Sequence, residues 1–295
     1  MNKKTILITG ATGFLGSHIL KKLIATDYNI VILKRSFSNI FRIHELMEHI
    51  KFYDIDILDS LEDIFKENTI DIILHTATQY GRKEESIVDI VESNLMLPLN
   101  LIGLAVENKV KVFINTDTLL DKRVSSYSLS KKQFKNWLEY YSDKMVCVNV
   151  SLEHFYGAFD DRTKFVTFIL QNLMEEKESI ALTWGEQERD FIYIDDVVNA
   201  FMKIIIHSTN VKLGFYDYEI GSGKNIKIKD FIILMADLLN NKITKLNFGV
   251  IPYRENEVME SHVNLNAIKT LGWLPITDIE KGLNLTINKE KKGLR

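Results

Sequence analysis

Tyr127 and Lys131 are the two residues of this chain whose types and spacing are best suited to acid–base chemistry. The segment Tyr127-Ser128-Leu129-Ser130-Lys131 places them one helical turn apart, on the same face of a helix. A tyrosine has a pKa of roughly 10, too high for easy proton exchange near neutrality. A neighbouring ammonium favours the phenolate and lowers this pKa, so the tyrosine becomes a usable general acid or base. The alternative interpretation is a surface aromatic beside a solvated lysine.

A glycine-rich segment near the start of the chain is typical of a phosphate-binding loop. Its sequence, Thr9-Gly10-Ala11-Thr12-Gly13-Phe14-Leu15-Gly16, lies between an apolar run (5–8) and an amphipathic segment (14–24). Glycines allow a tight turn and let backbone N–H groups approach a pyrophosphate, and the helix N-terminus adds partial positive charge. The pattern predicts a dinucleotide-binding strand–loop–helix unit. A tight turn without a ligand is the alternative.

The end of the second apolar run indicates which dinucleotide is bound. NAD enzymes usually place an acidic residue here, which accepts a hydrogen bond from the adenosine ribose 2′-hydroxyl, whereas an arginine suits a 2′-phosphate. This chain carries Lys34, Arg35 and Ser36 at that point. The residues therefore predict NADP, the alternative being a solvated basic loop.

Composition and charge restrict the class of protein. The 295 residues carry a formal charge of -3, which argues against a nucleic-acid surface. Cys147 lies in an apolar run and is interpreted as a small core residue, and with one cysteine no internal disulfide is possible. We expect no membrane span, because no apolar stretch looks long enough. The basic start, residues 1–4, leads into a short strand and not a signal sequence. These features predict a cytoplasmic enzyme without a metal site.

Short β-branched runs alternate with helical periods through the first half of the chain. The predicted strands are 5–8, 30–33, 51–55, 70–74, 110–115 and 145–151, and the predicted helices are 14–24, 61–66, 87–107 and 131–141. This alternation predicts an α/β fold, a doubly wound parallel sheet with ligands at the carboxyl ends of its strands. Beyond about residue 155 the alternation stops, and helices are predicted at 165–175, 195–207, 229–240 and 279–288.

Three segments together resemble the extended short-chain dehydrogenase/reductases that act on nucleotide sugars. They are the glycine loop, the Tyr127/Lys131 pair and Arg189-Asp190-Phe191-Ile192-Tyr193-Ile194-Asp195-Asp196-Val197. The resemblance runs from Thr5 to about Trp273. It implies a Rossmann-type NADP-binding domain over residues 1–155, with returning segments around 190–210. It also implies a smaller mixed α/β domain over 156–295 that mainly binds the nucleotide sugar.

The resemblance also implies roles for individual residues. Tyr127 exchanges the proton on the reacting oxygen, Thr116 hydrogen-bonds that oxygen, and Lys131 also holds the nicotinamide ribose. Asn94 braces the site through backbone hydrogen bonds, and Asp56 contacts the adenine or caps the following helix. The implied cofactor-binding residues are Gly10, Thr12, Gly13, Phe14, Leu15, Gly16, Lys34, Arg35, Ser36, Asp56, Ile57, His75, Ala77, Tyr127 and Lys131. The implied substrate-binding residues are Thr78, Asp117, Glu153, His154, Lys164, Phe165, Arg189 and Arg254.

Two of these substrate residues are arginines, which suit a diphosphate because a planar guanidinium makes bidentate bonds to it. Either Arg189 or Arg254 could instead belong to a salt bridge. His75 has a structural role as its alternative, and Asp117 is as well suited to a structural hydrogen bond as to acid chemistry. Glu153 and His154 replace the usual sugar-lining residues.

Departures from the family pattern narrow the expected reaction. The 4,6-dehydratases carry a glutamate after Asp117, as the base at C5, and Thr118 stands there in this chain. The loop between Thr116 and Tyr127 is shorter than usual, and Ser151 replaces a common arginine. Dissociable NADPH suits a net reductase better than an epimerase, which keeps NAD bound.

Six further segments resemble the reductases of CDP-4-keto-3,6-dideoxyhexoses in bacterial O-antigen synthesis: 76–82, 115–117, 152–157, 185–191, 256–259 and 271–273. We therefore predict an NADPH-dependent 4-reductase of a CDP- or dTDP-linked 4-keto-6-deoxyhexose. The family also implies a homodimer formed through the helices at 87–107 and 131–141. The alternatives are an epimerase or dehydratase of the same fold, and a regulator that binds NADP without turnover.

Overall fold

The computed structural model describes residues 3–255 and 257–293, so Asn256, in one of the segments that carry the resemblance, lies outside the described residues. The strands are β1 (Lys4–Thr9), β2 (Tyr28–Lys34), β3 (Lys51–Asp54), β4 (Ile72–His75), β5 (Val112–Thr118), β6 (Val146–Leu152), β7 (His154–Tyr156), β8 (Ser179–Ala181), β9 (Glu188–Tyr193), β10 (Gly214–Ile220), β11 (Asn225–Lys227) and β12 (Lys245–Asn247). The α-helices are α1 (Phe14–Ile24), α2 (Glu62–Glu67), α3 (Ile87–Val91), α4 (Leu97–Glu107), α5 (Ser126–Tyr140), α6 (Phe165–Met174), α7 (Ile194–Ser208), α8 (Ile228–Leu239), α9 (Asn266–Lys269) and α10 (Ile279–Gly293).

The chain forms two folded units. Unit 1 contains Met1–Leu152, Val198–Glu219 and Ala267–Trp273, and unit 2 contains Glu153–Val197, Ile220–Asn266 and Leu274–Arg295.

A seven-stranded sheet, in the order β10-β6-β5-β4-β1-β2-β3, forms the centre of unit 1. The pairs β1–β2, β1–β4, β2–β3, β4–β5 and β5–β6 are parallel. The order of β1 to β6 is that of a doubly wound dinucleotide-binding fold, so the predicted fold class is confirmed. Ile6, Leu7 and Ile8 in the interior strand β1 have no exposed surface, because helices cover both faces of the sheet. Cys147 is also fully buried, as predicted.

Helix α5 begins at Ser126, five residues before the predicted start at 131. Ser125 and Ser128 cap it reciprocally: the Ser125 hydroxyl accepts from the Ser128 amide, and the Ser128 side chain accepts from the Ser125 amide. This pair satisfies two backbone N–H groups of the helix N-terminus. The earlier start places Tyr127 within the first turn.

The helix predicted at 87–107 exists, but its hydrogen bonding changes in the middle. A π-helix, Glu92–Met96, joins α3 to α4. The run Ile87–Glu107 is long and apolar enough, by length and composition alone, to cross a membrane, and 28% of its most apolar window is buried. The expectation that no stretch has that length is therefore wrong, because the polar residues Glu92 and Asn94 do not interrupt the helix. The run packs on α5 in unit 1.

Unit 2 has a mixed sheet, β11-β9-β7, in which β7 runs parallel and β11 antiparallel to β9. Strands β8 and β12 form a separate parallel pair. The core of this unit is aromatic: the rings of Phe191 and Phe231 stack with centroids 3.9 Å apart, and Tyr156 lies edge-on to Phe231.

Candidate active site

The glycine loop forms a tight turn between β1 and α1. The amide of Gly13 donates to the carbonyl of Gly10 over 2.9 Å. Gly10 has a φ of +71°, and a Cβ there would lie 2.5 Å from the amide nitrogen of Ala77. A Cβ on Gly16 would collide with the carbonyl oxygen of Gly10. Both positions therefore require glycine, because another backbone segment passes directly against them.

This turn leads straight into the first helical turn of α1, which Phe14, Leu15 and Gly16 form. Gly13 is the N-cap, with extended backbone and no side-chain cap. The amides of a first helical turn have no partner within their own helix, and the helix dipole favours an anion near them. A pyrophosphate fits this cradle, and Thr12 lies partly exposed at its rim.

Lys34, Arg35 and Ser36, which we expect at the adenosine ribose, differ in their contacts. The Lys34 ammonium is ion-paired with Asp54, and its side chain is mostly buried. Asp56 accepts from the Ser36 amide over 2.7 Å and from its hydroxyl over 2.6 Å. Arg35 is exposed, with its guanidinium 5.8 Å from the ring centroid of Phe37. Arg35 is thus the residue of the three best placed for a 2′-phosphate.

Asp56 is not a helix N-cap. Helix α2 begins at Glu62, with Leu61 at its N-cap position. The hydrogen bonds from Ser36 hold the pKa of Asp56 below its ordinary value. The carboxylate therefore fixes the loop that carries Arg35, while the neighbouring Ile57 is exposed.

His75, at the end of β4, has no exposed surface. Its Nδ1 lies 2.8 Å from the Thr9 hydroxyl, and its ring packs on Phe113 and Phe134. Burial lowers its pKa well below the ordinary value, and the charge of Lys131 lowers it further, so the ring is neutral. Burial and the contact with Thr9 favour the structural alternative for His75, whereas the backbone of Ala77 lies against the glycine turn.

Two side chains of the predicted catalytic group, Thr116 in β5 and Lys131 in α5, lack a hydrogen-bond partner. Within the described part of the chain, the Thr116 Oγ1 and the Lys131 Nζ are buried and have no partner. Burial lowers the pKa of Lys131 to about 8. An unpaired buried ammonium costs free energy, and a ligand that accepts its hydrogen bond removes that cost.

Tyr127, on the same helix, is a neutral phenol. Burial raises its pKa well above the ordinary value, and Tyr80 and Asp117 raise it further. A hydrogen bond to Thr118 and the charge of Arg82 act in the opposite direction. The expected lowering by Lys131 is not among the causes, which corrects that expectation. The resting side chain is therefore a proton donor.

Asn94, in the π-helix, braces the site as expected. Its amide oxygen accepts from the Gln79 backbone over 2.8 Å and from the Thr78 hydroxyl over 3.1 Å. Its amide nitrogen donates to the Gln79 carbonyl over 2.9 Å and to the Ser130 hydroxyl over 3.1 Å. These bonds tie the loop after β4 to α5. The Thr78 hydroxyl, expected at the substrate, is used here.

Asp117 is buried and fully hydrogen-bonded, which favours the structural alternative for this residue. Its side chain has no exposed surface. The carboxylate accepts from the Thr118 amide over 2.7 Å and from the Lys132 ammonium over 3.1 Å.

The two arginines of unit 2 differ in their surroundings. The Arg189 guanidinium is ion-paired with Glu257 and donates to the Glu188 carbonyl over 2.8 Å. Arg254 is exposed. Burial lowers the pKa of Arg189, Glu257 opposes this, and repulsion from Arg254 adds to it. The salt-bridge alternative therefore holds for Arg189. The effect of Arg254 on its pKa indicates that the two guanidinium groups are neighbours.

The other substrate residues expected in unit 2 are also partly engaged. The buried Glu153 carboxylate accepts from the Ser261 hydroxyl and lies 3.0 Å from Nδ1 of His154. His154 is half-buried, so it is the member of this pair that a ligand could reach. The Lys164 ammonium lies 3.1 Å from Asp160, and the ring of the half-buried Phe165 stacks on Phe191.

Sequence reasoning missed two groups that surround the catalytic residues. Asn149, inside the buried strand β6, donates to Asp117 over 3.2 Å. Tyr80 packs on Tyr127, and Arg82 stacks on Tyr80. A signal existed for Asn149, because an amide inside an otherwise apolar strand requires hydrogen-bond partners. Tyr80 and Arg82 lie in segment 76–82, which carries part of the resemblance, but the sequence analysis assigned neither of them a role.

Comparison with known proteins is consistent with this geometry. Residues 6–221 match the model of the NAD dependent epimerase/dehydratase family. A CDP-abequose synthase of Salmonella muenchen is 37% identical, with 99% of each chain covered.

Solved structures share the fold. A UDP-glucose 4-epimerase from Thermotoga maritima, with UDP-glucose, has a TM-score of 0.86 and 22% identity, covering 99% of this chain and 100% of that one. A UDP-glucuronic acid 4-epimerase from Bacillus cereus, in complex with UDP-glucuronic acid and NAD, has a TM-score of 0.84 and 21% identity, with 99% and 100% covered. The resemblance drawn from the sequence motifs is confirmed.

Proposed function

Because the chain belongs to the NAD-dependent epimerase/dehydratase family of extended short-chain dehydrogenase/reductases, we propose that it is an NADPH-dependent ketoreductase. Its substrate is a nucleotide-linked 4-keto-6-deoxyhexose or 4-keto-3,6-dideoxyhexose. The observation that carries this proposal is that the Thr116 hydroxyl and the Lys131 ammonium are buried without partners in the described part of the chain, while the Tyr127 phenol is neutral. The similarity to CDP-abequose synthase supports the substrate class.

Reduction of a ketone adds a hydride to carbon and a proton to oxygen, which gives a secondary alcohol. Bound NADPH would supply the hydride. Tyr127 donates the proton to the C4 oxygen, and the Thr116 hydroxyl donates a hydrogen bond to that oxygen as negative charge develops on it. Lys131 donates to the nicotinamide ribose, and the phenolate that remains on Tyr127 regains its proton from solvent. A neutral tyrosine is the form that this direction requires.

The glycine turn of unit 1 fits a dinucleotide pyrophosphate, since it ends at the N-terminus of α1, where the amides have no partner within the helix. The turn requires glycine because backbone occupies the space that side chains at Gly10 and Gly16 would need. Arg35 supports NADP, because an exposed guanidinium suits a 2′-phosphate. Lys34 and Ser36 contribute less, since Asp54 and Asp56 engage them. In this proposal unit 1 binds NADPH.

Unit 2 binds the nucleotide sugar in this proposal. Arg254 and Arg189 attract the diphosphate, and His154, oriented by Glu153, contacts the sugar. A CDP-linked substrate is favoured over a dTDP-linked one by the relative from Salmonella muenchen. The product serves bacterial surface polysaccharide, so the enzyme acts in the cytoplasm.

A homodimer is part of the proposal. Trp137 and Tyr140 on α5 are 45% and 73% exposed, and Ile87 and Val88 on α3 are 68% and 67% exposed. Large exposed apolar side chains on neighbouring helices mark an interaction surface. A second copy covering these helices would bury them.

The decisive experiment offers the purified protein CDP- and dTDP-linked 4-keto-6-deoxyhexoses with NADPH and identifies the product by NMR. We expect oxidation of NADPH and a new C4 alcohol. Co-purified NAD with interconversion of two 4-hydroxy sugars would instead establish an epimerase. Release of a 4-keto sugar from a nucleotide hexose would establish a dehydratase. Cofactor binding without turnover of any of these sugars would favour a regulator.

A further inference from the structure

Asn149 is a fully buried polar residue on β6, whose neighbours in the sheet of unit 1 are β5 and β10. Its amide nitrogen lies 3.2 Å from the Asp117 carboxylate of β5 and 2.9 Å from the Asp217 carboxylate of β10. A carboxylate only accepts hydrogen bonds, so this nitrogen is the donor to both. One neutral side chain therefore stands between two like charges that come from the two flanking strands.

The orientation of the Asn149 amide is fixed from its other end. Its oxygen accepts a hydrogen bond from the Asn115 amide over 2.9 Å, and its nitrogen also donates to the Ser151 hydroxyl over 3.2 Å. If the amide turned over, its oxygen would face the two carboxylates and its nitrogen would face the Asn115 nitrogen, so that donors met donors and acceptors met acceptors. The side chain is therefore a donor on the side that faces the carboxylates.

Each of the two carboxylates holds a lysine of α5. Asp117 is 3.1 Å from the Lys132 ammonium, and Asp217 is 2.6 Å from the Lys135 ammonium. The two lysines are three residues apart, so they are neighbours on one face of the helix. Asn149 thus joins two ion pairs that attach α5 to both strands beside β6.

Helix α5 also carries Tyr127 and Lys131, and Lys132 follows Lys131 directly. The backbone hydrogen bonds of a helix keep its residues in a fixed relation, so the attachment of α5 sets where Tyr127 and Lys131 stand. On β5, Thr116 directly precedes Asp117, which is one end of that attachment. A misplacement of about 1 Å in such a group can cost roughly a hundredfold in rate.

We propose that Asn149 is a positioning residue for the catalytic helix: its amide keeps the carboxylates of β5 and β10 side by side, and both then hold lysines of α5. This inference rests on the proposed function, in which α5 supplies Tyr127 and Lys131. Asn149 is fully buried and acts only through the two carboxylates and the helix.

Asn149→Asp tests this role, because its new carboxyl group replaces the amide only while it is protonated. The protonated group accepts from Asn115 and donates to one of the two carboxylates, as the amide does. The ionised group has no proton to donate and places a third negative charge against the other two. The variant therefore carries its own switch between an intact and a broken bridge.

The charged groups around the new carboxyl give the sign of the pH effect. Asp117 from β5 and Asp217 from β10 raise its pKa, while Lys132 and Lys135 from α5 lower it. The carboxylates contact this position directly and the ammonium groups are bonded to the carboxylates instead, so the pKa is raised. We expect the ratio of the kcat of the variant to that of wild type to be near one at about pH 6 and roughly tenfold lower at about pH 9.

Two further variants serve as comparisons. Asn149→Leu has no titrating group, so we expect its kcat to lie roughly tenfold below wild type at every pH in this range. Asn29→Asp adds a carboxyl at an exposed position of β2 and is the matched control, with a ratio that stays near one. A ratio for Asn149→Asp that does not change with pH overturns the inference, as does a wild-type kcat in Asn149→Leu.

Lys135→Met decides the question if thermal unfolding shows that neither Asn149 variant folds. It removes the half-buried outer ion pair with Asp217 and leaves the core of unit 1 unchanged. We expect its kcat to fall roughly threefold. An unchanged kcat overturns the inference.

Hydrogen exchange of the α5 amides, followed by mass spectrometry, separates this inference from the proposed function because it needs no turnover. In Asn149→Asp we expect α5 to exchange faster than in wild type at about pH 9 and at the wild-type rate at about pH 6. If no keto sugar is reduced and the exchange follows this pattern, the proposed reaction fails while the attachment of α5 stands. If the keto sugar is reduced and exchange changes without any change in kcat, the role of Asn149 is purely structural and the inference fails alone.

Discussion

The ring of Tyr80 packs against the ring of Tyr127, with 4.9 Å between the centroids and 44° between the planes. The guanidinium of Arg82 lies 4.9 Å from the centroid of Tyr80, on the exposed loop after β4. A cation on an aromatic face is attracted to it, so Tyr80 holds the arginine near the reactive phenol. Arg82 is the cation that lowers the pKa of Tyr127 against the effect of burial.

Arg82→Gln removes this cation. The pKa of Tyr127 then rises further, the phenol becomes a weaker acid, and we expect kcat at pH 7 to fall roughly threefold to tenfold. If activity falls at alkaline pH because the Tyr127 phenol loses its proton, this fall moves to higher pH in the variant. The pH profile of kcat measures both effects. Lys83→Gln, one residue further along, is the control, and equal profiles for the two variants would refute the role of Arg82.

Gly16→Ala and Gly103→Ala form a matched pair. At Gly16 the new Cβ collides with the Gly10 carbonyl, so we expect a loss of about 1–3 kcal/mol in unfolding free energy and at least tenfold weaker cofactor binding. At Gly103, in α4, a Cβ has nothing within 4 Å. There alanine favours the helix, by about 0.5–1 kcal/mol. Chemical denaturation and cofactor titration measure both variants, and intact binding in Gly16→Ala would contradict the cradle.

Arg35→Ala tests cofactor selection. Loss of a charged hydrogen bond of about 1.5–3 kcal/mol lowers kcat/KM for NADPH by roughly tenfold to a hundredfold and leaves NADH little changed. Steady-state kinetics with both cofactors at equal concentration measure the preference. Lys51→Ala, which removes an exposed lysine at the start of β3, is the control. A wild-type protein that prefers NADH would refute the NADP assignment outright.

Trp137→Glu tests the proposed dimer. A carboxylate in a covered apolar interface is costly, so the variant is a monomer at concentrations where the wild type is a dimer. Sedimentation velocity or light scattering gives the mass. Ile206→Glu on α7, where the native side chain is 58% exposed, is the control and retains the wild-type mass. A wild type that is already a monomer would remove this part of the proposal.

The sheet of unit 1 was predictable because its strands are buried on both faces and read as apolar runs. Residues 30–33 and 70–74 were predicted within two residues of β2 and β4. The start of α5 was not, because Ser125 and Ser128 form a cap that lacks the usual glutamate.

Side-chain direction was the harder problem in the site. Spacing predicted that Tyr127 and Lys131 share a helix face, but it did not predict that Asp117 is buried and paired with Lys132. Partner choice was beyond the sequence: Lys34 with Asp54, and Arg189 with Glu257, are separated by 20 and 68 residues. Such pairs depend on the folded chain and carry no local pattern.

The way the chain alternates between the two units has a consequence for protein synthesis. Unit 1 contains residues 198–219 and 267–273, so it lacks an edge strand, β10, until residue 220 has been made. The last segment of unit 1, residues 267–273, follows most of unit 2 in the sequence. Unit 1 is therefore incomplete until most of unit 2 has been made, and no single cut yields either of them whole. Truncation after about residue 155, where the sequence rhythm changes, would therefore give an aggregation-prone fragment and not an isolated cofactor-binding domain.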